Sequence, residues 1–211
     1  MGENYQLKLD KELLRLSSKE RRPRLLLHVC CAPCSSYVLE YLSKYFEITA
    51  FFYNPNISPK SEYDYRAEEL IRLTKEMPLP HPVTCRIEDY DSSAFLAIAK
   101  SLESEPEGGE RCTACYRLRL TETAKIAAAE KYDYFTTTLS ISPLKDAARL
   151  NSIGGDLSQE YGVPYLYSDF KKREGYKRSI QLSSTYNLYR QDYCGCVFSQ
   201  VEAKKRKQNK I

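Results

Sequence analysis

The stretch "RLLLHVCCAPCSSYVLEYLSKYFEITAFFYN", residues 24–54, decides the fold. Its opening "RLLLHV" is a short apolar run of the buried-strand type, and it stops at a loop holding three cysteines. "SSYVLEYLSKYF" (35–46) then sets Val38, Leu39, Leu42 and Phe46 at helical spacing, with Ser35 or Ser36 available as a cap. "EITAFFYN" (47–54) reads as a second strand, stopped by "NPN".

The alternation continues outward from this unit. "KSEYDYRAEELIRLTKEM" (60–77) is a helix, "HPVTCRI" (81–87) a strand and "SSAFLAIAKSL" (92–102) a helix. After the break "EPEGGE", the segment "RCTACYRLRLTETAKIAAAEKY" (111–132) is strongly helical in its second half, with Cys112 and Cys115 at its front. "YDYFTTTL" (132–139) is a fourth strand, "KDAARLNSIGGDLSQEYG" (145–162) a helix with a break at Gly154–Gly155, and "VPYLYS" (163–168) a fifth strand. A helical stretch follows near 175–186, and then "YRQDYCGCVFS". Five alternations predict an α/β fold: a parallel sheet with helices on both faces, HUP/Rossmann-like, ending in a cysteine-rich C-terminal segment. Ligands of such sheets bind beyond the carboxyl ends of the strands. Cysteines stand where a nucleotide-binding relative would carry glycines, so no phosphate cradle is expected. The domain reading is an N-terminal arm over 1–22 with a helix at 10–17, one α/β domain over 23–200, and a basic tail over 201–211.

The composition is ordinary, with 211 residues, 42% hydrophobic and 28% charged. Nothing approaches the roughly 18 unbroken apolar residues of a membrane span. The first residues lack the apolar core of a signal peptide, which predicts a cytosolic protein. Much of the +4 net charge sits in "KERRPR" (19–24) and "KKRKQNK" (204–210). These are either solvated, disordered tails or contacts to an anionic polymer such as RNA. The 18 tyrosines supply rings either for base stacking or for the core.

Eight cysteines are many for a cytosolic chain of this size, and seven fall in three tight groups: Cys30, Cys31 and Cys34; Cys112 and Cys115; Cys194 and Cys196. Such clustering points to metal or redox chemistry. The first two groups lie at helix starts, where thiolates are favoured. Their residue types suit an iron–sulfur cluster or zinc, and unmetallated thiols are the third reading. His28, on the strand before Cys30, is expected to be a packed core residue. Gly195 lets "CGC" bend tightly, giving either a strained, reducible disulfide or two buried inert thiols. Cys85, alone in a strand, reads as core.

Six motifs in order, "LLLHVCCAPCSS", "FFYNPNISPKSEYDYR", "RCTACYRLRL", "TTTLSISPLKD", "FKKREGYKRS" and "LYRQDYCGC", resemble the QueH family of cobalamin-independent epoxyqueuosine reductases over about residues 24–199. The resemblance implies reduction of an epoxide to an alkene on a modified wobble base of tRNA. It also implies a [4Fe–4S] cluster held by Cys30, Cys31, Cys112 and Cys115, and a redox-active pair at Cys194 and Cys196. Cys34 is then spare, and a second iron ion near Cys34, Cys194 and Cys196 is a hypothesis motivated by three thiols left over.

The implied reaction needs two electrons and two protons, and side chains supply no electrons, so a redox centre and an external electron donor of unassigned identity are expected. Asp192, Tyr193 and Tyr53 are candidate proton donors. The cluster Lys171, Lys172, Arg173, Lys177 and Arg178 is either a solvated face or a phosphate contact. Tyr53, Arg117, Lys172 and Arg190 are the expected substrate contacts, with no membrane involved. The rival reading is a zinc-stapled RNA-binding module without catalysis.

Overall fold

The computed structural model describes residues 3–18 and 20–208. Its sheet contains β1 (Arg24–His28), β2 (Glu47–Phe52), β3 (Thr84–Ile87) and β4 (Tyr134–Thr137), all parallel, in the order β3-β2-β1-β4. The helices are α1 (Tyr5–Ser17), α2 (Ala32–Leu42), α3 (Lys60–Glu76), α4 (Ser93–Ala99), α5 (Glu110–Ala129), α6 (Ala147–Tyr161), α7 (Gly175–Thr185) and α8 (Val197–Gln208).

The apolar run of β1 has its physical reason in two cores. Leu25, Leu27 and Val29 point into one core with residues of α1, α2 and α3. Leu26 points the other way, joining Phe51, Phe135 and residues of α5 and α6. A strand covered on both faces cannot alternate apolar with polar. β1 pairs with β2 on one side and β4 on the other, so the strand order switches direction between β1 and β4. The crevice beyond the carboxyl ends of these two strands is where such a sheet receives ligands.

Several local expectations change. The fifth strand is reduced to a single bridge between Phe135 and Tyr165. Pro164 has no N–H to continue a ladder, and only its carbonyl is used, by Phe135 N–H at 3.1 Å. Helix α6 runs unbroken through Gly154, where a Cβ would meet the Tyr165 ring at 2.4 Å. That glycine makes room for a ring and does not end the helix. Ser35 and Ser36 are not caps: α2 begins earlier, with Pro33 in its first turn and Cys31 at the cap position. Their hydroxyls instead donate to Cys31 O and Pro33 O at 2.8 and 3.0 Å.

The chain ends are more structured than their charge suggests. α1 begins at Tyr5, where Asn4 Oδ1 accepts from Leu7 N–H at 3.0 Å, and it buries Leu9, Leu13 and Leu16 in the first core. The basic stretch 204–208 continues α8 and is not a disordered tail. Of the regions expected as arm and tails, residues 1–2, 19 and 209–211 lie outside the described residues. Among the described residues, no helix is long and apolar enough to cross a membrane.

Candidate active site

β1 delivers its cysteines directly into the switch-point crevice. Past His28 the chain bends at Cys30, Cys31 is extended with φ −174°, and α2 follows. Cys34 stands one turn into the helix, and its side chain leans back over the helix start. The sulfurs of Cys30, Cys31 and Cys34 consequently lie within 4.8 Å of one another, with Cys30 and Cys31 3.8 Å apart. Cys34, left spare by the ligand set that the resemblance implies, is gathered with Cys30 and Cys31. Among the described residues this is the one group of three or more potential metal ligands held so closely, and the three thiols could hold a metal ion.

The triad behaves as one titrating unit. The thiols of Cys31 and Cys34 hydrogen-bond to Cys30 and hold it well below the ordinary thiol range, with Arg119 and His28 assisting against burial. Bonding to Cys30 pushes Cys31 up to about 12 and raises Cys34 likewise. Cys30 is therefore the member of the triad that ionises first.

Cys112 and Cys115 occupy the first turns of α5. Gly108 N–H donates to Cys112 Sγ at 3.2 Å. Burial raises Cys112 and pushes Cys115 up to about 12. A turn further on, Arg119 is 1% exposed. Its Nε donates to His28 Nε2 at 3.2 Å, its Nη2 bonds Asn54 Oδ1, and its Nη1 is buried without a hydrogen-bond partner. Cys30, Cys115 and Cys194 all lie within its electrostatic reach. His28 Nδ1 meets Thr137 Oγ1 at 2.8 Å, and burial together with Arg119 lowers its pKa to about 3. His28 is therefore a neutral, fully buried core residue.

The "CGC" segment is fixed by a second buried arginine. Arg66, 2% exposed, donates from Nη1 to Cys194 O at 3.1 Å and from Nε to Glu62 at 2.7 Å. Gly195 has φ +117°, and a Cβ there would meet Ile57 Cγ1 at 2.9 Å and Arg66 Nη1 at 3.0 Å. Only glycine accepts both that backbone and that approach. Lys145 Nζ donates to Cys194 Sγ at 3.2 Å and pairs with Glu107 at 3.7 Å. Burial works against its charge, but the neighbouring Cys194 and Tyr116 outweigh it and keep the ammonium protonated. Cys194 and Cys196 are free thiols, as are all eight cysteines.

These pieces enclose two adjoining hollows. A cavity of about 270 Å³ is walled by Cys30, Cys31, Cys34 and Cys194, with Arg66 and Lys145 among the polar groups. A much smaller one is walled by Cys112, Cys115, Cys194 and Cys196. Cys194 and Glu107 belong to both. Seven thiols from three distant segments therefore gather at one end of the sheet.

The family model described as "Epoxyqueuosine reductase QueH" matches residues 25–202. The chain belongs to the epoxyqueuosine reductase QueH family. A QueH relative from Staphylococcus epidermidis is 45% identical over 207 residues, covering 94% of this chain and 87% of its own length. One from Streptococcus pyogenes is 41% identical, covering 94% and 80%, and one from Thermotoga maritima is 34% identical, covering 86% and 93%. All three are named epoxyqueuosine reductase QueH.

Within this QueH chain the expected site residues divide. Arg190 and Asp192 line the larger cavity. Arg190 donates to Ser183 Oγ at 3.1 Å. Asp192 pairs with Lys207 at 2.5 Å, and that ammonium holds its carboxyl below the usual range, so it is ionised. Tyr193 also lines the cavity, and burial raises its phenol. Tyr53 lines neither thiol cavity and stacks on Phe51, ring centroids 6.1 Å apart. Arg117 faces outward and pairs with Asp156 at 2.9 Å. Lys172 borders a separate hollow beside α1 that shares no residue with the thiol cavities. Cys85, half-buried at the sheet edge, lies 3.3 Å from Thr74 Oγ1. Lys145, Glu107 and Arg119 escaped the sequence reading. For Lys145 a signal existed, since "SPLKD" follows a strand at its carboxyl end.

Proposed function

We propose that this chain is a tRNA-modifying reductase that converts the epoxide of epoxyqueuosine in the anticodon to the alkene of queuosine, with a [4Fe–4S] cluster as its redox centre. The observation that carries this reading is the convergence of seven thiols on the carboxyl end of the β1–β4 switch point. Family membership supplies the reaction class.

The donor set fits an anionic iron–sulfur group. Thiols dominate, and the one nearby histidine is neutral and engaged on both ring nitrogens. Arg119 brings a buried positive charge with an unpartnered Nη1 beside Cys30 and Cys115, and Lys145 brings another beside Cys194. These cations would suit a tetrathiolate zinc as well, but a zinc staple is the weaker reading because structural zinc sites serve small folds that lack a core, and this fold has two extensive apolar clusters without one. Cys30, Cys31, Cys112 and Cys115 are the proposed ligands. Cys194 and Cys196 form the proposed redox pair, and a second iron ion near Cys34, Cys194 and Cys196 belongs to the same reading.

When bound, the cluster supplies low-potential electrons one at a time. The chain's own residues do the rest. Lys145 Nζ and Tyr193 Oη are protonated groups in the cavity wall and suit delivery of a proton to the departing oxygen. Asp192, ionised against Lys207, suits orientation rather than proton donation. Arg66 keeps the "CGC" backbone rigid beneath them.

The test is anaerobic reconstitution with iron and sulfide, then incubation with epoxide-bearing tRNA and a chemical reductant, read by nucleoside mass spectrometry. Alkene formation with four or more irons per chain supports the cluster, and at most four irons in fully loaded protein counts against the second iron ion. A colourless protein with stoichiometric zinc and no turnover rejects it.

A further inference from the structure

The thiol cavity has a charged rim, and α8 supplies its cations. The helix starts directly after Cys196, where Gln200 N–H donates to Cys196 O at 3.0 Å and Ser199 N–H to Cys196 Sγ at 3.4 Å. Glu202 accepts from Glu107 N–H at 3.1 Å and from the buried Arg111 at 3.4 Å. Ser199 and Ala203 are buried as well, so one face of α8 is seated against the start of α5. The exposed remainder carries Lys204, Lys205, Arg206 and Lys207. Two of these fix where the helix end lies. Lys207 is 2.5 Å from Asp192 and Arg206 is 3.2 Å from Glu107, and both acids line the larger cavity. Lys204 and Lys205 have no acidic partner among the described residues.

The other basic run contrasts with this one. Lys171 pairs with Asp169 at 2.8 Å, Lys177 with Glu174 at 3.1 Å, Arg178 with Glu40 at 2.6 Å, and Arg173 with Asp10. Four of its five cations are paired with local acids; the fifth, Lys172, borders with Arg173 the hollow beside α1, which shares no residue with the thiol cavities.

A cavity of about 270 Å³ admits one modified base and not a folded RNA. The flanking phosphates stay outside, because a phosphate charge is too costly to bury unpaired. We infer that the Lys204–Lys207 face of α8 is the surface on which the substrate RNA's backbone phosphates rest while one base occupies the thiol cavity. This rests on the tRNA reading above. Phosphate would take over Arg206 and Lys207 from Glu107 and Asp192. Since α8 grows directly out of Cys196, phosphate contact and thiol position are joined through one helix.

The experiment is binding of a synthetic anticodon stem-loop to the full chain across a salt series. Lys204→Ala/Lys205→Ala is expected to weaken binding on the order of tenfold at low salt and to flatten the slope of log Kd against log salt by about 1.4 to 1.8. Lys204→Gln/Lys205→Gln should give the same slope, which removes any dependence on helix propensity. Lys125→Ala, well along α5 from Cys112, should leave the slope as in wild type. An unchanged slope in both α8 variants, with wild type still binding, overturns the α8 surface and leaves the tRNA reading intact. Absence of RNA binding by wild type overturns both.

Discussion

The cysteines after β1 and the cysteines of α5 both stand at helix starts, yet they are built differently. Cys30, at a bend, and Cys31, in extended backbone, precede α2, and Cys34 folds back toward them, so three sulfurs share a 4.8 Å space and Cys30 is held well below the ordinary thiol range. Cys112 and Cys115 sit inside α5 a turn apart, and burial dominates, raising both. The two groups share one buried cation and differ in the other: Arg119 acts on both Cys30 and Cys115, whereas Arg66 acts on Cys31. The comparison teaches an order of assembly. If the two groups share the proposed metal centre, the loop group, with Cys30 the readier to ionise, would meet metal first, and the helix group would release its protons only as metal displaces them.

The largest test of this comparison removes one member of each group. Cys31→Ala and Cys115→Ala should each abolish visible absorbance and lower turnover by more than about 100-fold, since even outer partners of a metal cost 10–100-fold. If Cys115→Ala keeps its colour and activity, the two groups do not serve one centre.

Next comes the cation on the loop side. Arg66→Met removes the cation from Glu62, leaving it the Tyr189 hydroxyl at 3.3 Å, and strips the Cys194 carbonyl of its donor; losing one partner of a buried ion pair costs about 3–5 kcal/mol. Thermal melting of the metal-free chain should fall by roughly 10 °C. An unchanged melt would mean that Arg66 does not fix the "CGC" segment.

The third measurement is alkylation of metal-free protein by iodoacetamide, read site by site by mass spectrometry. With its pKa held well below the ordinary thiol range, Cys30 should react faster than an ordinary thiol, and its rate should rise less steeply from pH 7 to 9 than that of Cys115. Cys115, pushed up to about 12, should react on the order of tenfold more slowly or worse at pH 7, and its rate should climb about tenfold per pH unit. Parallel profiles for the two would erase the distinction between loop and helix.

The smallest effect belongs to the outward face of the same helix. Arg117 and Asp156 are 49% and 56% exposed, so Arg117→Ala should change stability by less than about 0.5 kcal/mol in a thermal melt. A large accompanying loss of tRNA affinity would return Arg117 to the substrate surface.

Much of this protein was determined by sequence alone. Apolar runs without alternation, interleaved with helical periods, specify a parallel sheet covered on both faces, because only that arrangement buries Leu25, Leu26 and Leu27 together. The three cysteine groups were likewise visible as residue types and spacings. What only the tertiary structure decided concerns pairings across the chain. Arg119 meets His28 across 91 positions, Lys145 meets Cys194 across 49, and Arg66 meets Cys194 across 128. The fate of each basic run was of the same kind, since a lysine's charge is spent or left free according to which acid the fold carries to it. Local periodicity reports which face of an element is buried, and it carries no information about which distant side chain arrives there.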